Sequence, residues 1–173
     1  MQARTKILAA ALAVFSASAP AHEPGAHVHG AARLDAVVDG GTLTLSLESP
    51  LDSLLGFEHM PRTEKQRAAV RAMAEKLAKT EKLFVPSPAA QCVPQAAKLE
   101  SPLLEAGNQD AKAGHLDIAG EYVFRCARPE ALRDIEVRLF EPFPRLRRLD
   151  VQAATPHGQA AARLTPSKRR IAW

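Results

Sequence analysis

The chain has 173 residues, with 23 Lys+Arg against 19 Asp+Glu and 46% hydrophobic residues, which fits one ordinary soluble domain and excludes a multidomain machine. With 24% charged and only 5% aromatic residues, a packed core of modest size is expected and disorder is not. The formal charge of +4 would suit an anionic partner such as nucleic acid only if the basic residues survive processing.

The first residues decide that question. Met1 to Ala21 carries Arg4 and Lys6, an apolar run from Ile7 to Phe15, and small residues ending in Ala19-Pro20-Ala21, the pattern of an export signal with an A-x-A cleavage site. Cleavage is expected after Ala21, so that 1–21 is a signal peptide and 22–173 a single mature domain. The apolar run is about half the ~20 residues of a spanning helix and no later stretch approaches that length, so no transmembrane segment is expected in the mature form. Removal of 1–21 takes away two bases and no acid, leaving 21 basic against 19 acidic residues. A net charge of +2 is too small to argue for any partner, and nucleic acid is not expected. Cys92 and Cys126 both lie in the mature part. An even count in an exported chain reads as one disulfide rather than two buried thiols. The signal and the cysteine pair together make the periplasm the expected location.

From Ala26 to Ser49 the sequence reads as a hairpin. Leu34, Ala36 and Val38 alternate with polar residues, Asp39-Gly40-Gly41 makes the turn, and Leu43, Leu45 and Leu47 alternate on the return, so one face is core and the other meets water. Leu51 to Pro61 is expected to be a connector containing Gly56-Phe57-Glu58-His59. Thr63-x-x-Gln66 is a capping box opening an amphipathic helix to about Lys79, with Val70, Met73, Ala74 and Leu77 on one face and a solvated basic stripe on the other. This helix is expected to lie across the sheet.

Three prolines make Phe84 to Pro94 extended or irregular, and Gln95 to Leu99 is a short strand candidate. Residues 100–114 show no periodicity and are expected to form a flexible surface loop. Leu116 to Cys126, Ile135 to Phe140, Leu149 to Ala154 and Gln159 to Leu164 are further strand candidates, and Ser167 to Arg170 reads as a solvated end. The fold class expected is α+β, a mainly antiparallel sheet of about six strands with one main helix and one disulfide.

No catalytic signature is present: no Gly-x-Ser-x-Gly elbow, no phosphate loop, no His-Glu-x-x-His and no Cys-x-x-Cys, so an enzyme is not expected. Histidine placement stands out instead. His22, His27 and His29 fall within the first eight mature residues, and His59 follows a glycine-containing connector. His27 and His29 are two apart, so on a strand both rings project to one side and two nitrogens can reach one ion, at ~2.0–2.1 Å for zinc. Glu58, His59, His115 and Asp117 are the candidates for further ligands. With the cysteines bonded, imidazole and carboxylate donors favour zinc over copper(I), while copper(II) would also suit, above all at a His22 N-terminus offering amine and imidazole together. Against these readings, His59 could serve only to hold its connector, and His157 in Pro156-His157-Gly158 reads as a turn residue.

At these residues the chain resembles the ZrgA-type periplasmic zinc-uptake proteins over nearly the whole mature length. The marks are His27-Val28-His29-Gly30, Glu48-Ser49-Pro50, Gly56-Phe57-Glu58-His59, Ala90-Gln91-Cys92 and Glu121-Tyr122-Val123-Phe124-Arg125-Cys126. Arg138-Leu139-Phe140-Glu141, Phe143-Pro144, Gly158-Gln159 and Leu164-Thr165-Pro166 follow in order. The resemblance implies a zinc-binding accessory protein that works beside an ABC-type zinc transporter under zinc limitation. Zinc-binding relatives carry a stretch rich in His, Asp and Glu before the second cysteine, whereas Glu100 to Gly114 contains no histidine. Zinc is then left to His27, His29, His59 and His115, with His22, Glu58 and Asp117 as possible additional ligands. Imidazole binds metal only when neutral, so affinity is expected to fall as pH drops through about 6.5. A second reading, of a different class, is a non-catalytic envelope adaptor whose metal role has weakened with the loss of that loop.

Overall fold

The computed structural model describes residues 28–105 and 116–173. The expected signal peptide and residues 106–114 of the expected loop therefore lie outside the described residues.

The predicted hairpin is present as β1 (Ala31–Asp39) and β2 (Thr42–Pro50), in register from Arg33↔Glu48 to Asp39↔Thr42. The alternation works as anticipated: Leu34, Ala36, Leu43, Leu45 and Leu47 are buried, while Arg33, Ser46 and Glu48 are exposed. The connector is more ordered than predicted. Leu51–Leu55 forms a helical turn, α1, because Leu51, Ser53 and Leu54 bury themselves under the hairpin. Ser53 Oγ accepts from the Gly30 amide (3.0 Å) and donates to the Ala31 carbonyl (3.1 Å). Gly56 ends the turn at φ +81°, a left-handed conformation that favours glycine.

The main helix α2 spans Glu64–Leu77 and opens on the predicted capping box. Thr63 Oγ1 accepts from the Gln66 amide and Gln66 Oε1 accepts from the Thr63 amide, both at 3.2 Å. Thr63→Ala is expected to cost about 1 kcal/mol, read as a shift in the urea midpoint at unchanged slope. Val70, Met73 and Leu77 form its buried face, and Met73 and Leu77 join the common core. A short turn α3 (Thr80–Leu83) leads to β3 (Phe84–Pro86).

β4 (Cys92–Glu100) starts earlier than predicted, because a register shift between Pro94 and Ala96 accommodates the proline within the strand. β5 (Asp117–Cys126), β7 (Arg148–Thr155) and β8 (Gly158–Leu164) match the predicted strands. β6 stops at Asp134–Val137. Leu139, Phe140, Phe143 and Leu146 instead turn into the core, with the Phe143 amide donating to the Leu139 carbonyl at 3.2 Å. The tail also departs from the prediction. Arg170–Ala172 is a strand, β9, and the Arg170 guanidinium is drawn onto Asp134 (2.7 Å) and Glu136 (3.2 Å).

Among the described residues these strands form two sheets, one of six in the order β4-β5-β2-β1-β7-β8 and one of three in the order β3-β6-β9. The larger sheet is antiparallel except where β1 runs parallel to β7, a pairing without any local sequence mark. The fold is thus α+β, rich in antiparallel sheet, with one long helix and the Cys92–Cys126 disulfide. The smaller sheet shares the core with α2: the Phe84 ring on β3 lies 4.8 Å from that of Tyr122 on β5. Tyr122 is fully buried and its hydroxyl has no hydrogen-bond partner among the described residues, so burial pushes the phenol far above its ordinary range. A Cβ on Gly120 would sit 2.9 Å from that hydroxyl, which explains glycine in the middle of a regular strand.

Candidate metal centre

Three separate stretches of chain meet where β1 begins. β2 ends at Pro50 and α1 follows at once, so Asp52 comes to lie beside the residues preceding β1. The Leu51 amide donates to the Leu116 carbonyl (2.9 Å), and the Leu116 amide donates to the Glu58 carbonyl (3.3 Å). These two bonds bind α1, the Gly56-Phe57-Glu58-His59 connector and the start of β5 into one corner.

His29 stands at this corner, two-thirds exposed, with Nδ1 3.3 Å from Oδ2 of the better-buried Asp52. The carboxylate stands at ion-pair range of the ring. His59 is held by a hydrogen bond: its Nδ1 donates to the Met60 carbonyl at 2.8 Å, and since a carbonyl can only accept, Nε2 is the lone-pair nitrogen of the neutral ring. The Phe57 ring lies 5.3 Å from the His59 ring and supports it. His59 therefore carries the tautomer a metal ligand requires, fixed by an oxygen on the other nitrogen, and His29 has a carboxylate beside its ring.

Glu58 is half-buried on the connector, and Asp117 is exposed at the first position of β5, opposite Pro50. Of the other predicted ligands, His22, His27 and His115 lie outside the described residues, although His115 directly precedes Leu116 in the chain. Among the described residues no group of three or more His, Cys, Asp or Glu is placed to hold one metal ion. The structure thus brings His29 to Asp52, and it carries His59 on a connector bonded to the same corner. Asp52 was missed from sequence because its role depends on where the returning strand deposits α1; the signal available was only its position two residues after the strand-ending Pro50.

His157 lies elsewhere, in the turn between β7 and β8, where its amide donates to Thr155 Oγ1 (3.1 Å) and its ring meets Arg133. Cys92 and Cys126 are joined and offer no thiolate. Among the described residues no helix is long and apolar enough to cross a membrane.

No individually curated protein matches the chain. A family model described as "ZrgA family zinc uptake protein" matches residues 26–173, a span that takes in the hairpin, the connector, both cysteines and the last strand. On that match the chain belongs to the ZrgA family of zinc uptake proteins.

Proposed function

We propose that this protein is a non-catalytic zinc carrier of the periplasm, which captures Zn2+ through imidazoles at the β1 corner and delivers it to an ABC-type zinc uptake system in the inner membrane. The observation that carries the reading is the placement of His29 beside Asp52 at the β1 corner, with His59 held at Nδ1 by the Met60 carbonyl and presenting Nε2 on the connector bonded to that corner. His27 and His115 complete the proposed ligand set, with His22, Glu58 and Asp117 as possible further donors. Partly exposed imidazoles release an ion more readily than a closed four-ligand cage does, and delivery requires release. Membership of a zinc uptake family supports the same cargo.

Isothermal titration of the untagged chain with zinc chloride tests this. Binding in the micromolar range or tighter is expected, with His29→Ala and His59→Ala each weakening it at least about tenfold and Asp52→Asn by about tenfold through loss of its hold on the ring. No binding at micromolar zinc, or binding unmoved by replacing His27 and His29 together, removes the proposal. A second reading is the non-catalytic envelope adaptor with a weakened metal role. It predicts no zinc heat and no effect of these substitutions.

A further inference from the structure

Three lysines outside the β1 corner share one hollow. Lys76 lies in the last turn of α2, Lys79 is the residue that opens α3, and Lys82 lies within α3. The fold sets all three against the Glu141-Pro142 turn, and with Leu83 these residues line a hollow of about 300 Å³. The three lysines are exposed, and their amines are hardly engaged. Neither Lys79 nor Lys82 makes an ion pair or a side-chain hydrogen bond among the described residues. Lys76 Nζ reaches only the Pro142 carbonyl, at 3.5 Å, and the Phe143 ring, whose centroid is 5.8 Å away.

The charge around this hollow is out of balance. Glu141 is the one carboxylate in its wall, and the Arg169 guanidinium already holds it. Glu75 and Glu81, the acids nearest in sequence, do not line it. Three amines and a guanidinium thus surround a single carboxylate, a local excess of three positive charges, whereas residues 22–173 as a whole carry an excess of only two. Like charges gathered on one hollow repel one another. The C-terminal end of α2 offsets that for Lys76, but its influence does not extend to Lys82 on the next element.

We propose that this hollow binds a terminal phosphate group, the chemistry shared by a phosphatidic acid headgroup and by free phosphate. Such a group presents three acceptor oxygens, one for each amine, where a carboxylate presents two, and lysine serves phosphate as a point charge. With Glu141 taken by Arg169, no lining residue brings a free charge that would compete for the amines.

Two binding measurements on the full chain, both without zinc so that their failure leaves the zinc reading intact, test the site. Isothermal titration with inorganic phosphate is expected to give a dissociation constant of order 1 mM. Co-sedimentation is expected to retain more chain on phosphatidylcholine vesicles containing phosphatidic acid than on vesicles of equal surface charge containing phosphatidylglycerol. Retention that excess phosphate does not displace assigns the lipid as the source, and full displacement, or binding in solution only, assigns the free anion. Lys79→Ala with Lys82→Ala is expected to weaken binding at least about tenfold. Lys65→Ala with Arg128→Ala removes the same charge from exposed positions outside the lining and is expected to change it less than about twofold. Glu141→Gln frees Arg169 and is expected to tighten binding about threefold, a gain that no folding defect imitates. The proposal is overturned by no heat with phosphate together with equal retention on the two kinds of vesicle. It is equally overturned if the Lys79 and Lys82 double variant binds as the native chain does, or if the Lys65 and Arg128 double variant loses as much.

Discussion

Replacing Phe84 with Ala is expected to lower stability by about 3–5 kcal/mol, the range for emptying a buried aromatic site. Phe84 is fully buried at the start of β3, pairs with Val137 on β6, and sets its ring 4.8 Å from Tyr122 on the larger sheet. It therefore joins the two sheets, and a cavity at this point is bounded by strands that cannot shift inward without breaking their ladders. Against a typical total of about 5–15 kcal/mol for a domain, that loss is a large share. Urea unfolding reads it as a lower midpoint, and Phe84→Leu, which keeps most of the volume, is expected to move the midpoint much less. The partner ring supplies the contrast. Tyr122 buries a hydroxyl that has no partner among the described residues, at a desolvation cost of about 1–3 kcal/mol. Tyr122→Phe is accordingly expected to be at least as stable as the native chain, and a clear loss of stability would show that the hydroxyl is satisfied in solution.

Removal of the disulfide by replacing Cys92 and Cys126 with Ser is the second large effect. The sequence separation is 34, for which chain entropy gives about 3–4 kcal/mol, or roughly 10 °C in melting temperature for a domain of this size. The location concentrates the effect. Cys92↔Cys126 is the first pair of the β4–β5 ladder, and most of β4 is exposed, with Leu99 the one large side chain it leans on the core. Packing does little to hold this strand, so loss of the bond should free it selectively. Hydrogen exchange across residues 92–100 is expected to rise far more than across β1, β2 and β7. Uniform protection in the double variant would show that the ladder alone suffices.

The elements read correctly from sequence are those with a local rule behind them. Leu34 to Leu47 alternates because one face of the hairpin is core, and Thr63 with Gln66 marks a helix start that any sequence scan can find. The elements missed have no such rule. β3 and β9 are three residues long, too short for a period to show, and they exist because a neighbouring strand is within reach; β6 was predicted, but with an end that the structure turns into the core after Val137. α1 forms from a pentapeptide, Leu-Asp-Ser-Leu-Leu, too short to show a helical period. Arg169 and Arg170 looked like a solvated end, yet Glu141, Asp134 and Glu136 draw them onto the smaller sheet. The metal corner follows the same division. His29 and His59 were legible as residue types in a pattern, whereas Asp52 beside His29 required the path of the chain.

The parallel pairing of β1 with β7 has a consequence for how the molecule is made. The first hairpin of the chain forms the centre of the six-stranded sheet, and its two flanks are covered only by strands that begin at Asp117 and Arg148. Such a topology has high contact order and folds slowly, because loops of about a hundred residues must close before the central strands are paired on both sides. Until Arg148 to Thr155 has docked, β1 presents an open edge of alternating apolar residues, the kind that recruits other chains. The C-terminal third of the sequence is thus what keeps the N-terminal hairpin from aggregating, and a chain cut short of β7 would lose its protection along with its strand.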